Sequence, residues 1–227
     1  MSRKQTPAVR DRAQGTPQHQ LSMQRAVIRL CSPAATVAPL NREQLKNLFL
    51  RLRGYSGSRT TYLAVRLALY TFVHISDMRR SKWEDARLDE ALWDIRADRS
   101  KSKRRHLVPL SNQAISALRE LYEITEDGEN MFPNARLPRG VMSETSIGQA
   151  MRHLVIPLGG SVFRATASKH LLEMGGANRL LELQLGHADR NNLKGFDRGE
   201  DIHERREMMQ QWADWLDAIE AEMVEGE

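Results

Sequence analysis

The chain has 227 residues, of which 41% are hydrophobic and 28% are charged, and its formal net charge is +5. This composition is typical of a globular protein with one core-forming domain and additional segments. It excludes a membrane-spanning protein, because no apolar run approaches the roughly 20 residues that a bilayer requires. The single cysteine, Cys31, excludes an internal disulfide framework and suits a reducing compartment. No group of Cys and His residues has zinc spacing, so we expect no metal and no cofactor.

The positive charge is unevenly distributed along the chain. Residues 1–38 carry a net charge of +5, residues 39–199 carry +8 and residues 200–227 carry −8. A basic body followed by an acidic end predicts a polyanionic partner that meets the body. An ordinary solvated surface is the alternative, since the surplus of positive charge is modest.

The first 38 residues are rich in Gln, Pro, Arg, Ser and Thr and show little helical periodicity. We predict a flexible basic arm over residues 1–38. Such an arm can add contacts to phosphate groups, and each contact makes the affinity more dependent on salt. A leader without function is an equal alternative.

Apolar residues at helical spacing predict that the folded body begins at about residue 40. The second of these helices is nearly all apolar and should be central and buried. Ser111 is a candidate N-cap for the third. The last helix has an apolar stripe and an acidic opposite face. The predicted helices cover 40–53, about 58–75, 112–122, 143–154 and about 202–223.

Two short segments predict a β-hairpin with a positively charged tip. Residues 88–95 have the pattern of a turn followed by a strand, and residues 105–110 that of its partner strand. The tip between them is basic, which indicates either a contact to phosphate or a charged turn that keeps the protein soluble. With the helices, this hairpin predicts a mainly α fold with a small antiparallel sheet. The basic residues are Arg99, Lys101, Lys103, Arg104 and Arg105.

The stretch 161–196 contains the most informative pattern of the chain. Arg164 lies in the first turn of a predicted helix that Gly175 and Gly176 end, because glycine accepts the left-handed turn past a helix end. A second short helix leads to Leu185-Gly186-His187, and Phe196 follows nine residues later. Periodicity alone favours a solvated surface arginine and a loop histidine.

The order of these residues resembles the C-terminal half of the catalytic domain of tyrosine recombinases (phage integrases). The variety it resembles most is the integrase of P4-type genomic islands. The section from Thr71 to Leu110 is also similar to this domain, notably at Trp83 and at the strand that begins with His106. The resemblance covers about residues 40–220 and implies a tyrosine-recombinase catalytic-domain-like fold. Because only the arm precedes it, we expect the family's separate N-terminal domain to be missing.

The family pattern is His-x-x-Arg, then Leu-Gly-His, then a nucleophilic tyrosine. Here Arg164 and His187 are retained, whereas Ser161 stands at the histidine place and Phe196 at the tyrosine place. Lys101 falls where the family has a hairpin lysine that donates a proton to the leaving oxygen. Counting back from the tryptophan places His74 where the family has its first arginine. A rival register takes Arg79 for that arginine instead.

The resemblance therefore implies double-stranded DNA as a partner, but with damaged chemistry. The family reaction requires a nucleophile, cationic clamps on the phosphate and a general acid. Phenylalanine has the ring of tyrosine without the hydroxyl, and residues 169–227 contain no Tyr, Ser, Thr or Cys. We expect a DNA-binding protein that does not cleave, acting as an accessory, regulatory or replication-related factor of a mobile element. The predicted DNA contacts are Arg99, Lys101, Lys103, Arg104, Arg105 and Arg164.

Two alternatives remain open at this point. The chain could be a subunit of an active recombinase assembly in which another chain supplies the tyrosine, or a protein–protein module that has lost DNA binding. The predicted organisation is a basic arm at 1–38, a catalytic-type domain at 39–200 and an acidic amphipathic helix at 201–227. That helix is part of the domain or docks on it, and it could contact a second copy or an intact recombinase. We expect a cytoplasmic, nucleoid-associated protein.

Overall fold

The computed structural model describes residues 37–137, 139–155, 160–187 and 201–223. The basic arm predicted over residues 1–38 lies almost wholly outside the described residues. Phe196, which stands at the tyrosine place, also lies outside them.

The described residues form helices around a three-stranded antiparallel sheet, which is the predicted fold class. The described part begins with three helices, continues through the sheet and closes with a long helix. The elements are α1 Arg42–Arg53, α2 Arg59–Thr71, α3 Ile75–Arg80, β1 Ala86–Arg87, β2 Leu92–Ile95, β3 His106–Pro109, α4 Asn112–Thr125, α5 Glu144–His153, α6 Ser161–Glu173, α7 Asn178–Gln184 and α8 Ile202–Ala221.

The sheet confirms the predicted hairpin. Strands β2 and β3 pair antiparallel, with Trp93 opposite Val108 and Ile95 opposite His106. The register places the basic run of residues 99–105 in the connection between the two strands. Strand β1 pairs with the other side of β2 and was not predicted, because two residues are too few to show an alternating pattern.

Helix α2 is the centre of the domain and packs against α4, α5 and α8. Its apolar residues are almost completely buried, as its composition predicts. The apolar stripe of α8 closes the core over it. Trp212 of α8 is fully buried, and its indole Nε1 donates a hydrogen bond to the carbonyl of Leu69 at 2.9 Å. The apolar face of the last helix is therefore covered by its own domain.

The helix predicted over about residues 58–75 ends earlier, at Thr71. Helix α2 ends at Thr71 because Phe72 adopts a left-handed conformation with φ of 41°, which is unusual for a residue other than glycine. The Phe72 ring is fully buried and meets Trp212 edge-on at 6.4 Å between ring centres. Helix α3 then begins at Ile75, with His74 as its N-cap. The break leaves the carbonyl of Phe72 outside the helical ladder.

A glycine lets the start of α6 approach α3. A Cβ atom at Gly160 would collide with the side chain of Ile75, so a larger residue would separate the two helices. This close approach brings the first turn of α6, which carries Arg164, towards the segment that carries His74. The fold thus joins residues about 90 positions apart in the chain.

Candidate functional site

Arg164 is held between the ends of two helices. Its Nη1 donates to the carbonyl of Phe72 at 3.0 Å, and its Nη2 donates to the carbonyl of Leu185 at 2.8 Å. These carbonyls follow the last residues of α2 and α7, where the helix dipole favours a cation. The side chain is therefore not the solvated surface arginine that periodicity suggests.

The guanidinium of Arg164 has no carboxylate within ion-pair distance among the described residues. Burial lowers its pKa, and the more distant charges of Asp77 and Glu182 act in the opposite direction. An arginine remains protonated under such conditions. The result is a half-buried positive charge in a fixed orientation, which is a suitable site for an anion.

His187 lies beside Arg164 and is oriented by Glu182. Its Nδ1 is 2.9 Å from a carboxylate oxygen of Glu182, and its Nε2 is 3.2 Å from Nη2 of Arg164. A guanidinium can only donate, so Nε2 is the acceptor and the proton resides on Nδ1, facing the carboxylate. His187 is therefore an exposed imidazole whose orientation is fixed by Glu182 and Arg164.

Lys101 and His74 form the other half of the site. The Nζ atom of Lys101 lies 3.1 Å from Nε2 of His74. On the other side of the ring, Nδ1 of His74 accepts the backbone N–H of Ser76 at 3.2 Å as the N-cap of α3, and it lies 2.9 Å from the hydroxyl of Ser76. Burial lowers the pKa of His74, and the nearby charges of Lys101 and Arg164 lower it further.

The carboxylate of Asp77 fixes the hairpin to α3. Its Oδ1 accepts the backbone N–H of Lys101 at 2.8 Å and the hydroxyl of Ser76 at 2.9 Å. The tip of the hairpin is thereby held against the segment that begins with His74. Arg79, the rival for the first arginine position, points elsewhere and bonds the carbonyl of Met142 and the carboxylate of Glu144.

The five basic residues of the hairpin do not share one environment. Arg99 is only 8% exposed and bonds the carboxylates of Asp85, at 2.5 Å, and of Glu84. Arg105 forms two bonds to Asp94, at 2.6 and 2.5 Å. These two arginines therefore have carboxylate partners within the domain. The remaining three are exposed and make no ion pair to a carboxylate in the described part of the chain: Lys101, Lys103 and Arg104.

The other predicted site residues are placed as follows. Ser161 is exposed at the first position of α6, one helical turn before Arg164. Phe196 lies outside the described residues. The structure thus brings four of the predicted residues together in two contacting pairs. The pairs are Arg164 with His187 and Lys101 with His74.

Comparison with known proteins gives the family of this fold and site. The model of the phage integrase family matches residues 39–196. The chain belongs to the phage integrase family. Among curated relatives of this integrase-family chain, the integrase of Enterobacteria phage P4 is 37% identical over 186 residues, 74% of this chain and 42% of that protein. Prophage integrase IntA of Escherichia coli strain K12 is 29% identical and is matched over 44% of its length. The chain therefore spans about half the length of the curated relatives it matches.

Solved structures show the same fold for this integrase-family domain. The XerA recombinase superposes with a TM-score of 0.56 at 18% identity, over 79% of this chain and 61% of that one. The Tn1549 transposon integrase in complex with a circular intermediate DNA gives a TM-score of 0.59 at 13% identity, over 83% of this chain and 75% of that one. At these identities the likeness establishes the architecture alone.

Sequence patterns did not indicate Glu182, Ser76 or Asp77, which orient the histidines and the hairpin lysine of the integrase-family site. Glu182 precedes His187 by five residues, a spacing that becomes informative only when α7 is known to end between them. Asp77 meets Lys101 across 24 positions, and no local pattern indicates such a contact.

Two further findings concern the described residues of the integrase-family chain as a whole. Among them, no group of three or more His, Cys, Asp or Glu side chains is arranged to hold a metal ion. Within the same ranges, no helix combines the length and the apolar character needed to cross a bilayer.

Proposed function

We propose that this integrase-family protein binds double-stranded DNA and does not cleave it. The observation that carries the proposal is the guanidinium of Arg164, which is half-buried and oriented by two helix ends but has no carboxylate partner among the described residues. A DNA phosphate would supply the missing negative charge. Lys101, on the hairpin, would contact the same phosphate or its neighbour.

The sequence supports the loss of cleavage. Phe196 has no hydroxyl that could attack phosphorus. An arginine at position 74 could donate two hydrogen bonds to a phosphate, whereas His74 offers one ring nitrogen. Of the four tyrosines, Tyr70 is buried and bonded to Arg66, and burial raises the pKa of its hydroxyl. Such a phenol is a poor nucleophile. In this proposal the protein acts as an accessory, regulatory or replication-related factor of a mobile element.

A trapping experiment tests the loss of cleavage. We expect no covalent protein–DNA adduct when the protein is incubated with nicked suicide duplexes of pooled sequence and analysed on a denaturing gel. A family member that retains its tyrosine, on its own site, is the positive control. Phe196→Tyr alone should give no adduct either, because His74 and Ser161 are still substituted. A reproducible adduct with the unaltered chain would contradict the proposal.

The three exposed residues of the hairpin tip are expected to contact phosphate. Replacing Lys101, Lys103 and Arg104 with alanine should weaken DNA binding and flatten the plot of log affinity against log salt by about 0.9 for each phosphate that is no longer neutralised. The measurement is fluorescence anisotropy with a labelled duplex at several salt concentrations. The matched control removes the same charge from exposed basic residues that have carboxylate partners, with the substitutions Arg42→Ala, Arg59→Ala and Lys82→Ala. Equal salt slopes for the two triple variants would mean that the hairpin tip is an ordinary charged turn and does not contact phosphate.

A second candidate function follows from the family residues that are retained around Arg164. His187 is held by Glu182 and is bonded to Arg164. An assembly would need this arrangement of side chains if another chain supplied the tyrosine. Mixing this protein with a tyrosine-containing integrase would then increase covalent trapping, and Arg164→Ala would abolish the increase. An unchanged yield of adduct favours the non-cleaving DNA-binding protein.

The α8 helix gives little support to a protein–protein module. Its apolar stripe, including Met208, Trp212 and Leu216, is buried in its own domain. Its acidic side also has partners there, since Glu220 pairs with Arg66 at 2.6 Å. A partner that docked on the apolar face of α8 would have to displace it from the core.

A further inference from the structure

A second basic site lies away from Arg164, in a cleft of about 990 Å³. One wall is the end of α1, the turn that follows it and the first turn of α2, and the other runs along α5 from its first turn to its end. Polar groups predominate on both walls. The charged and polar side chains of the walls include Arg51, Thr61, Ser146, Gln149 and Arg152.

The cleft has positive charge without compensation in the described part of the chain. Arg51 and Arg152 are exposed, and neither forms an ion pair with a described carboxylate. No Asp or Glu is among the described residues that line the cleft. Several other exposed arginines of the described ranges differ in this respect, for example Arg59, which bonds the carboxylate of Glu120. An unpaired cluster of this kind is suited to a polyanion.

The polar side chains of the walls suit the same ligand. The hydroxyls of Thr61 and Ser146 belong to the capped first turns of α2 and α5, and each is bonded to the N-cap serine before it. Gln149 adds an amide that can donate or accept. Hydroxyl and amide groups next to arginines are the donors that proteins place on DNA phosphate and sugar oxygens.

Helix α5 links the cleft to the neighbourhood of the first site. It begins beside α3, where Glu144 bonds Arg79 at 3.0 Å, and α3 has His74 as its N-cap. Arg152 follows Glu144 by eight residues, which is about 12 Å along a helix that rises 1.5 Å per residue.

We propose that the cleft holds the phosphate backbone of the duplex whose central phosphate lies at Arg164. This inference rests on the proposed DNA binding and adds a second anchor to it. Arg51 and Arg152 would contact other phosphates of the same duplex. With two anchors on one duplex, the domain would have a fixed orientation on the DNA, which a single phosphate contact cannot give.

The test is the salt dependence of DNA binding. The double variant Arg51→Ala, Arg152→Ala should bind a 30-base-pair duplex more weakly, with a salt slope lower by about 1.8, since each neutralised phosphate contributes about 0.9 to the slope. The control pair Arg42→Ala, Arg59→Ala removes the same charge from residues that already have carboxylate partners, and its slope should stay that of the unaltered chain. Arg51→Lys, Arg152→Lys should restore the slope, because lysine keeps the charge. Thermal unfolding of each variant checks that the fold is intact.

The outcomes separate this inference from the proposed function. DNA binding with the same slope in the alanine pair and the control pair overturns the second anchor and leaves the first site standing. No salt-dependent binding by the unaltered chain overturns both. Competition by inorganic phosphate or a mononucleotide, with an unchanged DNA slope in the alanine pair, would assign the cleft to a small phosphorylated ligand and also contradict the proposal.

Discussion

Replacing Arg205 with alanine is expected to lower the free energy of unfolding by about 3 to 5 kcal/mol. This side chain is fully buried in α8 and donates to the carbonyl of Leu107 in β3 and, at 3.0 Å, to the side-chain oxygen of Gln184 in α7. Removing it leaves buried acceptors without a donor and creates a cavity where three elements meet. Both effects are costly, because neither water nor a neighbouring side chain readily replaces a buried guanidinium.

Urea denaturation followed by tryptophan fluorescence measures this decrease, with the slope of free energy against urea as a check on two-state behaviour. Arg206→Ala is the matched control, since Arg206 is the next residue in the same helix and its bond to the carbonyl of Glu90 lies at the surface. We expect the control to change stability by less than about 1 kcal/mol. Equal decreases for the two variants would show that Arg205 does not join the three elements.

The stability of the domain is expected to fall below pH 6.5 because of His106. Burial lowers the pKa of this imidazole to about 3, and the charges of Arg205 and Arg164 act in the same direction. The unfolded chain keeps an ordinary pKa of about 6.5, so between these values the unfolded state binds a proton that the folded state does not. Acid therefore favours unfolding, by about 1.4 kcal/mol for each pH unit in this window.

The contribution of this single group is isolated by His106→Gln, which cannot titrate. Between pH 7 and pH 5 the unaltered chain should lose about 2 kcal/mol more than the variant. His203→Gln is the control for the substitution itself, because the side chain of His203 is 85% exposed and lies outside the core. If the free energies of unfolding of the unaltered chain and of His106→Gln changed with pH in parallel, water would reach the His106 ring and the prediction would be wrong.

His106 also explains the glycine of the Leu-Gly-His motif. Gly186 has a positive φ of 67°, and a Cβ atom there would lie 3.4 Å from Nδ1 of His106. The strand thus packs directly against the backbone that leads to His187. A residue larger than glycine at position 186 would be strained in its backbone and would also crowd the imidazole.

The sequence predicted those features that are encoded locally. The stripe of α1 and the serine cap of α4 follow from spacings within one element, and both are present. The hairpin was equally predictable, because two short apolar segments enclosed a polar connection. Arg164 and His187 were identified from the order of motifs, which is local to one stretch of about 25 residues.

Features that depend on distant residues were not predictable. Nothing in the segment around Phe72 indicates the end of a helix, because its left-handed conformation is fixed by packing against α8. The partners of Arg99 lie just before β1 and the partner of Arg105 lies in β2, so these two arginines could not be distinguished from the three exposed basic residues. The basic cleft was missed for the same reason, since its walls come from residues 51–61 and 146–154.

The bond between Trp212 and the carbonyl of Leu69 spans 143 positions of the chain and has a consequence for folding. Helix α8 is the last described element, yet it covers the central helix α2. During synthesis α2 therefore leaves the ribosome long before its cover exists. At about 5 to 20 residues per second, the part of its apolar surface that α8 covers stays exposed for about 7 to 30 seconds. Over that interval the nascent chain is a substrate for chaperones, and the order in which its elements emerge limits how soon the native core can close.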